Sequence, residues 1–100
     1  MSTQELDVRG IAIVWLLKDD WPRWLALDPN FQPDFDHWRR RIEAAIDQLE
    51  STGTRCEPII VDPDRFDKWR RENGHPMNAG SRAVYAAWLL AQRDEAGHAA

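Results

Sequence analysis

Two short apolar runs constrain this chain more than any other feature. Ile11 to Leu17 is rich in β-branched and aromatic side chains, and Ile59-Ile60-Val61 is a β-branched run enclosed by Pro58 and Pro63. Both are shorter than a typical helix, and their residue types favour a pleated, buried strand. Each is followed directly by a helix-start signal, Asp20-Trp21-Pro22 after the first and Asp62-Pro63-Asp64 after the second. Asp is a good N-cap and Pro suits the first helical turn, where its missing N–H has no partner to lose. Two strands are therefore expected at about residues 10–17 and 57–62, joined by a crossover of about 40 residues. A connection of that length returns the second strand parallel to the first, with a right-handed crossover.

The crossover holds the clearest helix, from about Pro33 to Thr52. Phe35, Trp38, Ile42, Ala45/Ile46 and Leu49 recur at spacings of three and four and form one helical stripe. Gly53 follows, where a left-handed residue ends helices. A short helix at about 20–27 precedes it. A third helix at about 63–73 places Phe66, Trp69 and the stem of Arg70 inward and stops at Asn73-Gly74. Asn78 or Ser81 starts a fourth at about 79–96, which carries Val84, Tyr85, Trp88, Leu89 and Ala91. Trp38 and Trp69 are expected in the core. The fold class is thus a helix-rich α/β domain with a small two-stranded parallel sheet. Ala12, Leu16 and Leu17 suit a helix equally well, so an all-α bundle with Ile11–Leu17 buried is the alternative.

The 100 residues fit one domain, 1–100, with residues 1–7 and 97–100 expected to fray. Six Trp, three Phe and one Tyr can furnish much of the core, since aromatic side chains bury roughly 150–250 Å² each. No apolar run approaches the length of a membrane span, and the start of the chain lacks signal-peptide character. The lone Cys56 cannot form an intrachain disulfide, in keeping with a reduced, cytoplasmic setting. Arg outnumbers Lys eleven to two, a codon-usage trait of GC-rich bacterial genomes. The net charge of −4 disfavours generic nucleic-acid binding, which needs a concentrated basic face.

The residues offer little chemistry. The five glycines are scattered at 10, 53, 74, 80 and 97, so no phosphate-binding loop forms. His37, His75 and His98 lie far apart in sequence, without the spacing of a helical zinc motif. No catalytic residue, metal ligand or cofactor is expected. One candidate ligand site depends on the fold: parallel strands bring Asp19, Asp20, Asp62 and Asp64 to the carboxyl end of the sheet, where α/β proteins bind ligands. The simpler account makes Asp20 and Asp62 helix caps and leaves the others solvated. Arg70, Arg71 and Arg82, around the His75–Arg82 loop, are further candidates for contacting a ligand or partner.

Two segments echo each other, Pro33-Asp34-Phe35-Asp36-His37-Trp38-Arg39-Arg40 and Pro63-Asp64-Arg65-Phe66-Asp67-Lys68-Trp69-Arg70-Arg71. Helix-start chemistry and amphipathic packing account for both better than duplicated ligand grips do. The expected function is that of a small cytoplasmic bacterial accessory or protein-interaction domain without intrinsic catalysis. Its partner is another protein, a second copy of the chain included, and neither generic nucleic acid nor a membrane. The first alternative is a nucleic-acid-contacting module using Arg39, Arg40, Arg41, Arg70 and Arg71. The second is a small metal-dependent enzyme using the clustered aspartates.

Overall fold

Parallel pairing of two five-residue strands organises the chain. The computed structural model describes residues 10–99, with side chains to residue 95; the expected fraying of residues 1–7 lies outside the described residues. Strand β1 spans Ile11–Trp15 and leads through a 3-10 turn at Lys18–Asp20 into helix α1, Trp21–Leu27. Helix α2 covers Phe35–Ser51, strand β2 Cys56–Ile60, helix α3 Pro63–Glu72 and helix α4 Ala79–Ala99. The fold is the expected helix-rich α/β arrangement, and the all-helical alternative falls, because Ile11–Trp15 is a strand.

The strands pair in register from Ile11↔Cys56 to Trp15↔Ile60. Ile11 N donates to Arg55 O at 2.9 Å and Val61 N donates to Trp15 O at 3.1 Å. In a parallel ladder alternate residues face the neighbour. These two bonds therefore turn the odd-numbered residues of β2 toward β1 and Pro58 toward the outer edge, where its missing N–H costs no ladder bond. Gly10 lies so close to the start of β2 that an added Cβ would sit 2.6 Å from Arg55 O.

The helix boundaries follow their caps. Asp34, not Pro33, starts α2, by accepting from Asp36 N at 2.9 Å. Asp62 caps α3 by accepting from Arg65 N at 2.9 Å, with Pro63 as first residue. Asn78 caps α4, its side chain accepting from Ser81 N at 2.8 Å. Asp20, expected to cap α1, makes no such bond. It already has near-helical backbone angles at the end of the 3-10 turn, which runs directly into α1, so its carboxylate is not set back over the first turn. Gly53 and Gly74 hold the positive φ angles of 89° and 71° that end α2 and α3. Helix α4 passes the expected end at 96 and continues to Ala99. A single Gly97 costs only about 1 kcal/mol in an otherwise alanine-rich turn.

The core joins Leu16 of the β1–α1 connection, Trp21 and Trp24 of α1, Phe31, Ile59 and Val61, Phe66 of α3, and Tyr85, Ala86 and Leu90 of α4. Trp24 and Phe66 are fully buried, and Trp24 stacks on Phe31 at 5.5 Å between ring centroids. At about 25 cal/mol per Å², a fully buried indole contributes roughly 4–6 kcal/mol before entropic costs. Trp38 and Trp69, expected in the core, are half-buried at its margin. No residue of α2 is buried outright, so Trp38 leans on Trp15 and Trp21 while its other side meets solvent.

Candidate functional site

The parallel register sends both chain segments out of the sheet at the same end, and the four candidate aspartates meet there. Partial burial and the negative charges of Asp62, Asp19 and Asp64 together push the Asp20 carboxyl above its ordinary range. Two of the four are already engaged. Asp62 holds the first turn of α3, and Asp64 accepts from Arg23 Nε at 2.7 Å in a solvent-exposed pair that ties α3 to α1. Among the described residues no group of three or more His, Cys, Asp or Glu side chains is placed to hold a metal ion. This end of the sheet is an acidic corner in which one carboxylate caps a helix and another pairs with an arginine.

The candidate arginines are committed as well. Asp67 is buried on α3 and is held from two sides, by Arg70 Nε at 2.9 Å and by Arg71 Nη2. Arg82 is buried too. Its Nη1 donates to Asp28 Oδ2 at 3.3 Å, and its guanidinium lies over the rings of Phe31 and Trp24. The structure therefore brings Arg70 and Arg71 together around one carboxylate and takes Arg82 into the interior. The His75–Arg82 segment is ordered by packing and capping. His75 stacks on Trp69 with ring centroids 4.8 Å apart and ring planes nearly parallel, and Asn78 starts α4.

The surface that sequence reasoning missed is the outer side of α4. Ala83 to Gln92 are ten consecutive residues without a charge. One side of that stretch is buried through Tyr85, Ala86 and Leu90. The opposite side carries Val84 and Trp88, which remain 49% and 43% exposed, set among exposed Ala79, Ala83, Ala87 and Ala91. Positions 84, 87, 88 and 91 form one helical stripe. The Trp88 ring packs on Tyr85 at 5.9 Å and Trp69 at 6.1 Å, so the indole is held in place while its outer face stays open. Apolar periodicity names Val84, Tyr85, Trp88, Leu89 and Ala91 together without assigning them to a side. The signal that separates them is the missing polar side: a helix apolar all round is covered on both sides. No helix among the described residues is long and apolar enough to cross a membrane. In comparisons with protein-family models, curated proteins and solved structures, the chain matches none.

Proposed function

We propose that this chain is a small non-catalytic interaction domain, a cytoplasmic bacterial accessory protein, that docks an apolar helix of a protein partner against the outer side of α4. The observation that carries this reading is the exposure of Val84 and Trp88 in a stretch with no charge on either side. Apolar surface gathered into a patch marks contact sites, whereas single exposed apolar residues do not. A fixed aromatic with its face open is a typical anchor of such a contact. The alanine row between the bulky residues lets a second helix approach closely, since interaxial distance is set by the side chains at the crossing.

The nucleic-acid alternative has weaker support. Arg39, Arg40 and Arg41 are consecutive in α2 and point about 100° apart, so they do not share a face. Arg39 pairs with Glu43 at 2.9 Å and lies over the Trp15 ring, while Arg70 and Arg71 both hold Asp67. A photo-crosslinking residue in place of Trp88, compared in cells with the same residue in place of exposed Gln48 on α2, tests the proposal. A discrete crosslinked species from position 88 and none from position 48 is expected. Equal labelling from both positions, or none from either, overturns it.

A further inference from the structure

We propose that the helix docked on this face is α4 of a second copy, packed antiparallel about a two-fold axis beside Ala87 and Trp88. The inference rests on the reading of the α4 outer side as a docking surface and names its occupant. The uncharged stretch from Ala83 to Gln92 and the exposed stripe from Val84 to Ala91 share one midpoint, between residues 87 and 88. A two-fold axis there superimposes the whole uncharged stretch on itself.

Size complementarity follows from that placement. Trp88 falls against Ala87 of the partner subunit, and Val84 against Ala91 of the partner subunit, so each large side chain meets a small one. An isologous interface requires this kind of self-matching, because one patch must serve as both halves. Charge complementarity follows as well. Glu95 is exposed and continues the stripe one heptad beyond Trp88. About the same axis it lies opposite Gly80 of the partner subunit, in the first turn of that α4. A carboxylate is favoured at the positive end of a helix, and antiparallel packing makes this contact twice. The charges that bound the stretch do not interfere, since Arg82 is buried against Asp28 and Arg93 donates to Glu57 at 3.1 Å.

The interface is small. From Gly80 to Glu95 the helix is about 23 Å long. A single helix pair of that length buries less than the roughly 1,200 Å² of standard stable interfaces and belongs to the size class of weak, transient contacts. The association is thus a concentration-dependent one.

Sedimentation velocity over roughly 5–500 µM reads the proposal directly. The wild-type chain is expected to shift from its monomer mass of 11.7 kDa toward twice that value. Ala87→Arg and Ala87→Glu each place like charges at the axis and are expected to weaken self-association at least tenfold. An equimolar mixture of the two is expected to restore it, since opposite charges then meet. Ala87 is exposed and surface helix positions tolerate both residues, and unchanged thermal melts of the separate variants confirm that folding is intact. A wild-type chain that stays monomeric while position 88 still crosslinks to a different protein overturns the second-copy inference and leaves the interaction reading standing. A monomer with no crosslink overturns both. A dimer insensitive to both charges, or variants whose mixture fails to reassociate, overturns the antiparallel α4 placement.

Discussion

Asp28 Oδ2 and Arg82 Nη1 meet at 3.3 Å although 54 residues separate them in the chain. The side chains are 8% and 10% exposed, so the contact forms away from bulk water. Burial lowers the Arg82 pKa, and the hydrogen bond and negative charge of Asp28 act in the opposite direction. Asp28 also accepts from Asn30 N at 2.9 Å, which fixes the turn that ends α1. The pair therefore links the C-terminal end of α1 to the first turn of α4. Desolvation offsets much of the attraction in a buried pair, so its main effect is to specify where the N-terminal end of α4 sits.

Removing one partner of that pair is expected to be costly. Arg82→Met leaves the Asp28 carboxylate buried without its cation and should destabilise the fold by about 3–5 kcal/mol. The double variant Asp28→Asn/Arg82→Met removes both charges, while the introduced side-chain amide keeps an acceptor for Asn30 N. It is expected to be more stable than Arg82→Met alone. Urea melts of the wild type, both single variants and the double variant give the coupling. Strictly additive losses would show that the two side chains do not act as a pair.

The tryptophans should separate by burial. Trp24→Ala empties a fully enclosed site and is expected to cost about 3–5 kcal/mol. Trp38 keeps one side in solvent, so Trp38→Ala should cost roughly half as much, about 1–3 kcal/mol, by loss of contact with Trp15, Trp21 and Phe35. Chemical denaturation of the two variants checks the order. A larger loss at position 38 would mean that α2 is packed more deeply than this arrangement has it.

Two glycines should respond in opposite directions to the same substitution. At Gly10 a new Cβ meets Arg55 O at 2.6 Å and Glu57 Cγ at 2.8 Å, so Gly10→Ala has to push apart the first rung of the sheet. A loss of about 1–3 kcal/mol is expected. At Gly80 the nearest atom to a new Cβ is Asn78 Oδ1 at 3.5 Å, an ordinary contact, and the residue lies in the first turn of α4. Gly80→Ala should gain about 0.4–1 kcal/mol by restricting the unfolded chain. Thermal melts that show both variants shifting in the same direction would refute the contrast.

The elements were legible because their signals are local. Ile11–Trp15 and Cys56–Ile60 announce themselves by β-branched content and by the helix starts behind them, and the long crossover leaves parallel pairing as the natural outcome. The echoed Pro-Asp segments are both helix starts, though with different registers: Asp34 caps α2 itself, whereas Pro63 opens α3 behind the cap Asp62. What was not legible depends on contacts distant in sequence. Arg82 looked like a surface cation in a polar loop because nothing near it reveals Asp28, Phe31 and Trp24. Nothing local marks Asp67 for burial, which follows from how α3 is seated. The exposure of Trp88 was not legible either, because a stripe identifies apolar positions without saying which of two apolar sides faces inward.

The acidic corner should leave a pH signature at Asp20. Partial burial first, then the charges of Asp62, Asp19 and Asp64, raise its pKa, so the folded chain holds this proton more tightly than the unfolded chain does. The resulting contribution to stability is fully present below the ordinary Asp value of about 4 and is lost as pH rises through the higher folded value. At neutral pH the ionised carboxylate works against the fold. Asp20→Asn is therefore expected to raise stability at pH 7, by less than about 1 kcal/mol because the corner is open to solvent screening. The gain should shrink with added salt and disappear by about pH 3, where the wild-type carboxyl is protonated. Melts of the two proteins from about pH 3 to 7, at low and high salt, check this. A variant less stable than the wild type at pH 7 would show that the Asp20 carboxylate makes a favourable contact that outweighs the repulsion of its three neighbours.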